Sequence, residues 1–443
     1  MAVAVELRRN ELERLAFGAG TATIALAALA ASLPGARHYA LWQDEVASAR
    51  VISEPSPTAM LVHVAHTEST PPLWYAIAWL VHRCGAGIAD VRLVSVAAAA
   101  LLAVVTTVTA RRLVPAWAAL LSGLAVALGY QFDFHGRELR AYELAALLTV
   151  ALALAAERAV ALPSRRNNAL LAAAVAAGSS THYFFLFSAA AVVCWRRETW
   201  RAVAVGLVPI AAWSPVLVHQ YERHRFSFIG PFDAHTVATT YWATFARAQP
   251  HGELLHDAAP FGLLAAVLVG AVTLGRRSET GRLWALLAVL PVALAGALWL
   301  LGAHIYDVRN LIGVGPFAAV AAAAGLARVP RASAAPAACA LAALLVVGYA
   351  RASRVPPVAY DRIAAALLTA GWQPDNPIVV QGNVYALWGP LEWYLPNRPM
   401  LVLHHGVPSS PVAFGVRGTF VTRIREHAHA RHALTYLAVR SAP

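Results

Sequence analysis

Leu41-Trp42-Gln43-Asp44-Glu45 sets two adjacent carboxylates beside a tryptophan, a few residues after an apolar run at about 15–34. A run of that length crosses a bilayer as a helix, which needs about 20 apolar residues. The acidic pair therefore stands at a membrane surface, at the start of a long loop of about 35–90. Within the loop, helical patterns fall at about 44–52, 57–66 and 71–83. Two readings of Asp44 stand side by side. It can cap a helix before Val46-Ala47-Ser48, since Asp is a favoured N-cap residue. It can also be a partly desolvated proton acceptor, because burial near Trp42 favours the neutral acid and makes the carboxylate a better base. Glu45, one residue on, faces another way and has a different task.

Outward from this stretch the chain is apolar throughout. Of its 443 residues 59% are hydrophobic and only 13% charged, against about 25% charged in soluble proteins. Further spans are expected at about 91–111, 115–130, 141–157, two short halves within 168–195 hinged at 178–183, then 202–219, 258–275, 283–302, 310–327 and 333–350. The first span reads as retained rather than cleaved, because no small-residue cleavage site stands out before Asp44. All 35 basic residues are arginine, and the net charge is +12. The arginines cluster at 8–14, 111–112, 165–166, 196–201, 276–282 and 328–331. Counting eleven spans puts every cluster on one side, which the positive-inside rule makes cytoplasmic, with the N-terminus. The same count excludes a nucleic-acid footprint. It gathers the Asp44 loop, 131–139, 220–257, 303–309 and the C-terminal segment on the outer face of the plasma membrane.

Residues 351–443 read differently. Short strand patterns at 378–381, 400–403, 420–422 and 436–439 alternate with helical patterns at 357–371 and 385–394, which predicts a small extracytoplasmic α/β domain. The expected organisation is thus a polytopic α-helical membrane domain over 1–350 and this α/β domain over 351–443. The three cysteines, Cys84, Cys194 and Cys339, are too dispersed for a disulfide framework or a zinc site.

Several outer-face residues can carry chemistry. Gly136-Arg137-Glu138-Leu139-Arg140-Ala141-Tyr142 opens a span on the side where arginine is not favoured. Arginine at a helix start makes an anion site, and the alternative is snorkelling to the interface. Arg309, after Tyr306 and Asp307, repeats the arrangement, with local pairing to Asp307 as its alternative. His182 and Tyr183 sit at the hinge of the two short halves, lining a cavity or packing as a hydrogen-bonded pair. His63, His66 and Glu68 invite a metal reading, but a zinc or manganese site needs further ligands that the sequence does not show. The histidines of the tail, His404, His405, His427, His429 and His432, read as solvated surface.

Taken in order, Asp44-Glu45, Pro71-Pro72-Leu73-Trp74-Tyr75, Asp90-Val91-Arg92-Leu93-Val94-Ser95, Arg137-Glu138-Leu139-Arg140-Ala141-Tyr142-Glu143-Leu144, Thr181-His182-Tyr183-Phe184 and Arg309-Asn310-Leu311 with Pro316 resemble the GT-C superfamily of polyprenyl-phosphate-sugar-dependent glycosyltransferases. The likeness is to protein O-mannosyltransferases and lipid A aminoarabinose transferases, over roughly 35–330. The resemblance implies an inverting transfer of a mannosyl- or arabinosyl-type sugar from a lipid phosphate to a glycan, lipid or protein hydroxyl. It implies Asp44 as base with Glu45 beside it, and Arg140, Arg309 and Arg137 as phosphate-binding residues. His66, Glu68, Tyr142, His182 and Tyr183 would line the cavity. No obligatory metal or nucleotide is implied. Two positions depart from the pattern: Thr70 replaces a histidine before the proline pair, and Arg137 replaces a glutamine. A transporter or flippase of lipid-linked glycans is the competing class, but it would show internal repeat symmetry, which the sequence lacks.

Overall fold

The computed structural model describes residues 2–222, 229, 232–246, 253–352, 360–369, 378–381, 390–395, 400–403, 412–416, 419–426 and 434–441. In chain order the helices are α1 (Ala2–His38), α2 (Gln43–Ile52), α3 (Pro57–Thr67), α4 (Leu73–Arg83), α5 (Leu93–Ala110), α6 (Ala116–Leu128), α7 (Tyr130–His135), α8 (Tyr142–Ala161), α9 (Arg165–Thr181) and α10 (Phe185–Trp195). They continue as α11 (Trp200–Gly206), α12 (Val208–Ala212), α13 (Ser214–Glu222), α14 (Ala234–Phe245), α15 (Glu253–Arg277), α16 (Glu279–Leu300), α17 (Gly315–Leu326), α18 (Arg331–Ala352) and α19 (Tyr360–Thr369). A 3-10 segment, Val308–Val314, leads into α17. The chain divides into two compact units, one of residues 1–36 and 54–352, the other of 37–53 and 353–443.

The first unit is an α-helical membrane domain. Among the described residues six helical segments are long and apolar enough to cross a bilayer: 10–38, 90–110, 142–161, 258–277, 279–300 and 308–326. Shorter apolar helices at 116–128, 185–195 and 335–350 coincide with three more of the expected runs. Helix starts carry polar caps where backbone N–H groups would otherwise go unmet. Ser56 Oγ accepts from the Ala59 amide at 3.1 Å, Ser164 Oγ from Asn167 at 3.2 Å and Ser278 Oγ from Gly281 at 2.9 Å.

The core centres on α17, which is buried from Gly315 to Gly325. Its small residues allow α15 to approach backbone to backbone: a Cβ on Gly270 would collide with the Ala321 carbonyl, and one on Gly325 with the Ala266 carbonyl. Small residues four apart on both helices are a membrane packing motif, since dispersion and not water exclusion holds helices together in lipid. Trp284 of α16 packs edge-on to Phe317, with ring centroids 4.9 Å apart.

Two expected spans differ in form. The run at 202–219 is three pieces, α11, α12 and α13, because Pro209 and Pro215 lack the N–H that a continuous helix needs. The run at 310–327 begins as a 3-10 segment and becomes α-helical only at Gly315-Pro316.

The second unit holds α2, α19 and a five-stranded sheet. Its strands are β1 (Ile378–Gln381), β2 (Met400–Leu403), β3 (Val412–Val416), β4 (Thr419–Glu426) and β5 (Leu434–Ser441), in the order β2-β1-β5-β4-β3. β1 pairs in parallel with β2 and β5, registering Ile378 with Met400 and with Leu437. β3, β4 and β5 are antiparallel. Four strands fall on the expected patterns, and β3 is additional. Residues 37–53 belong to this unit and not to the membrane domain: the Leu41 amide donates to the Tyr394 hydroxyl at 2.8 Å, and Arg50 pairs with Glu392 at 2.6 Å. The helical pattern expected at 385–394 is present at 390–394, and its remainder, like the tail histidines, lies outside the described residues.

Candidate active site

The turn between α7 and α8 is built to present arginine. Its backbone is pinned from α5, where Ser95 Oγ donates to the Glu138 carbonyl at 2.7 Å. Within the turn His135 Nδ1 and Glu138 Oε2 are 2.6 Å apart, both side chains at most 5% exposed. Arg137 reaches Asp133 at 3.5 Å and lies over the Phe134 ring at 6.0 Å. Buried charges need such partners, because an unpaired one is costly away from water.

Arg140 points to a second buried group, supplied by the segment between α3 and α4. Its Nη1 donates to Glu68 Oε2 at 3.1 Å and to the Tyr75 hydroxyl at 3.3 Å. Tyr75 in turn donates to the same Glu68 oxygen at 2.6 Å, with Thr70 Oγ1 3.2 Å from the phenol. One carboxylate oxygen thus receives both a cation and a phenol, while Glu68 Oε1 is buried without a hydrogen-bond partner among the described residues. Burial pushes the Tyr75 phenol well above its ordinary range; Arg140 opposes that rise and Glu68 adds to it. Tyr75 is therefore a proton donor at any physiological pH.

His182 sits in the break between α9 and α10. The His182 ring accepts the Phe184 amide at Nδ1, 3.3 Å away, which leaves its proton on Nε2. Tyr142 lies between His135 and His182, with centroids 4.3 and 5.6 Å away. Arg309 is held by Asp307, which takes its Nε at 3.1 Å and its amide at 3.0 Å. Gln131 donates to the Val308 carbonyl at 3.0 Å and ties this segment to α7. Beside His182 and Asn310 opens a small cavity of about 20 Å³, otherwise lined mainly by apolar groups such as Phe184, Phe185, Pro291 and Leu311.

The structure thus gathers Arg140, Glu68, Tyr142, His182 and Arg309 in the membrane unit, with Arg137 on the same turn as Arg140. Asp44 and Glu45 belong to the other unit, in the first turn of α2. There Glu45, not Asp44, does the capping: its Oε2 accepts the Trp42 amide at 3.3 Å, and Glu45 is buried while Asp44 is half-buried. His66 is exposed on α3, where its Nδ1 bonds the Val62 carbonyl of its own helix. His63 pairs with Glu54 at 2.7 Å. Glu68 follows the last helical residue with an extended backbone, so it leaves the face that His63 and His66 share. Among the described residues no three His, Cys, Asp or Glu side chains converge as metal ligands. Tyr183 turns to Gln220 at 2.7 Å and Trp213 at 3.1 Å and serves as a brace to the α12–α13 region. Sequence reasoning gave no role to Tyr75, His135, Asp133 or Glu143, the last fully buried in α8 with neither carboxylate oxygen bonded among the described residues. For Glu143 the signal available was an acid inside an apolar run long enough to span, where ionisable residues are rare.

The fold is of the GT-C type. The structure is similar to ArnT from Cupriavidus metallidurans in the apo state, with a TM-score of 0.52 and 14% identity over 89% of this chain and 86% of that one. It is similar to the same protein bound to undecaprenyl phosphate, with a TM-score of 0.50 and 14% identity over 88% and 85% of the two chains. The archaeal oligosaccharyltransferase AglB from Archaeoglobus fulgidus, in complex with an inhibitory peptide and a dolichol-phosphate, gives a TM-score of 0.52 and 12% identity over 87% of this chain and 64% of that one. No protein-family model matches the sequence, and no curated protein does.

Proposed function

We propose that the protein is an integral-membrane glycosyltransferase that takes a sugar from a polyprenyl-phosphate donor and passes it to an acceptor hydroxyl at the outer face of the plasma membrane. The observation that carries the reading is the placing of two arginines about His182: Arg140 two residues before Tyr142, whose ring centroid is 5.6 Å from that of His182, and Arg309 next to Asn310, which shares a cavity with His182. A lipid phosphate needs fixed cations for its head, and a guanidinium makes strong charge-assisted hydrogen bonds to phosphate. Two solved structures that share this fold hold undecaprenyl phosphate and a dolichol-phosphate, which supports the same donor class here.

In this reading the guanidinium groups stabilise the negative charge that grows on the phosphate as its bond to the anomeric carbon breaks. Charge held in advance where it develops lowers the barrier most. The acceptor hydroxyl loses its proton as it attacks from the opposite face, which inverts the anomeric centre. Asp44 is the carboxylate that the family resemblance assigns to that proton. Mannosyl and arabinosyl donors are the sugar classes proposed, with a glycan, lipid or protein as acceptor. The test is incubation of the purified protein in nanodiscs with polyprenyl-phosphate mannose and arabinose plus membrane extract, followed by mass spectrometry of the donor. Consumption of a donor supports the proposal. Binding without consumption of any donor overturns it in favour of a transporter of lipid-linked glycans.

A further inference from the structure

We propose that Glu68 is a resident anion on Arg140: it occupies, in the empty protein, the Nη1 position that a lipid phosphate takes over when it binds. The inference rests on the donor class proposed above. Arg140 is 9% exposed and Glu68 4%, so neither charge is screened by bulk water. Their contact at 3.1 Å is one a phosphate oxygen would have to replace or share. A second donor, the Tyr75 hydroxyl at 2.6 Å, holds the same Glu68 oxygen and is itself 3.3 Å from Arg140 Nη1. The phenol gives Glu68 a place to rest after it gives up the cation. Thr70 Oγ1, 3.2 Å from the phenol, keeps that ring oriented. The arrangement does two things at once. It keeps the arginine ionised and pointed into the protein without ligand, and it sets a threshold that a weakly charged lipid head cannot cross, because only a full phosphate charge competes with a carboxylate at hydrogen-bond distance. Glu68 is thus a positioning and selectivity residue rather than a catalytic one.

The measurement is the affinity of the full-length protein in nanodiscs for undecaprenyl monophosphate, which carries no sugar. Glu68→Gln keeps the shape and an acceptor for Tyr75 but removes the competing charge. It is expected to bind about tenfold more tightly than wild type, the size of one charge-assisted contact released. Glu68→Asp keeps the charge but withdraws it from Nη1 by about one methylene, and it tightens binding by a smaller factor. Arg140→Gln binds more weakly than wild type. A gain of affinity is what damage to the fold does not produce, and the Asp variant serves if the Gln variant fails to fold. If wild type binds, Arg140→Gln does not, and neither Glu68 variant gains affinity, the resident-anion proposal falls and the donor reading stands. If wild type itself takes up no undecaprenyl monophosphate, both fall.

Discussion

Tyr306 and Thr240 join hydroxyl to hydroxyl at 2.7 Å, across the gap between the loop before the 3-10 segment and α14. Burial pushes the Tyr306 phenol up to about 12, with the Thr240 contact pulling slightly the other way. The unfolded chain ionises this group near 10, so above that pH the unfolded state loses the proton first and is favoured. The contribution is complete below pH 10 and is lost as the pH rises through about 12. Thermal unfolding midpoints measured from pH 8 to 11.5 should therefore fall more steeply for wild type than for Tyr306→Phe. Parallel profiles would remove Tyr306 from the account.

The contact of His135 with Glu138 predicts strong coupling. Glu138→Ala takes away a buried partner at 2.6 Å, and loss of such a contact costs about 1–3 kcal/mol. A double-mutant cycle with His135→Ala, read by chemical denaturation in micelles, should give a coupling of at least ~0.5 kcal/mol, the range found for contacting residues. Simple additivity would mean that the pair is held by its neighbours alone.

The approach of α15 to α17 predicts a sharp contrast between two glycines of one helix. Gly270→Val drives a side chain into the Ala321 carbonyl, whereas nothing lies within 4 Å of a Cβ on Gly262. Overpacking costs about 1–3 kcal/mol, and a helical Gly→Ala change gains about 0.5–1 kcal/mol. Melting temperatures should drop for Gly270→Val and stay level or rise for Gly262→Ala.

Arg309 is proposed to bind phosphate together with Arg140. Arg309→Gln should weaken undecaprenyl monophosphate binding by about tenfold or more, the worth of a charge-assisted contact. Unchanged affinity by fluorescence titration would confine Arg309 to its pairing with Asp307.

Asp44 is proposed as the base, and loss of a base slows transfer by about 10²- to 10⁴-fold. Asp44→Asn should therefore abolish donor consumption while leaving the affinity for undecaprenyl monophosphate at the wild-type value. Retained turnover would assign the proton to another group.

The helices of the first loop were legible almost to the residue, because each follows a local signal: Ser56-Pro57 opens α3, and Pro71-Pro72 precedes α4. The break near His182 was legible for the same reason, since small polar residues interrupt the apolar run at 178–182. The grouping of Glu68 with Arg140 was not, because the two are 72 residues apart and no periodicity links them. Strand β3 was missed because a single short segment containing Gly415 acquires its identity only by pairing with β4. The metal reading of His63, His66 and Glu68 lacked further ligands in the sequence, and α3 ends at Thr67, before Glu68.

The membership of residues 37–53 in the second unit has a temporal consequence. The Leu41 amide waits for a hydroxyl 353 residues downstream, which at ~5–20 residues per second is a delay of roughly 20–70 s on the ribosome. Throughout that interval α2, whose Val46, Val51 and Ile52 end up buried, has been made without its partners. Closure of the second unit therefore waits until Tyr394 has been made, and a nascent chain stalled before it carries α2 without that anchor.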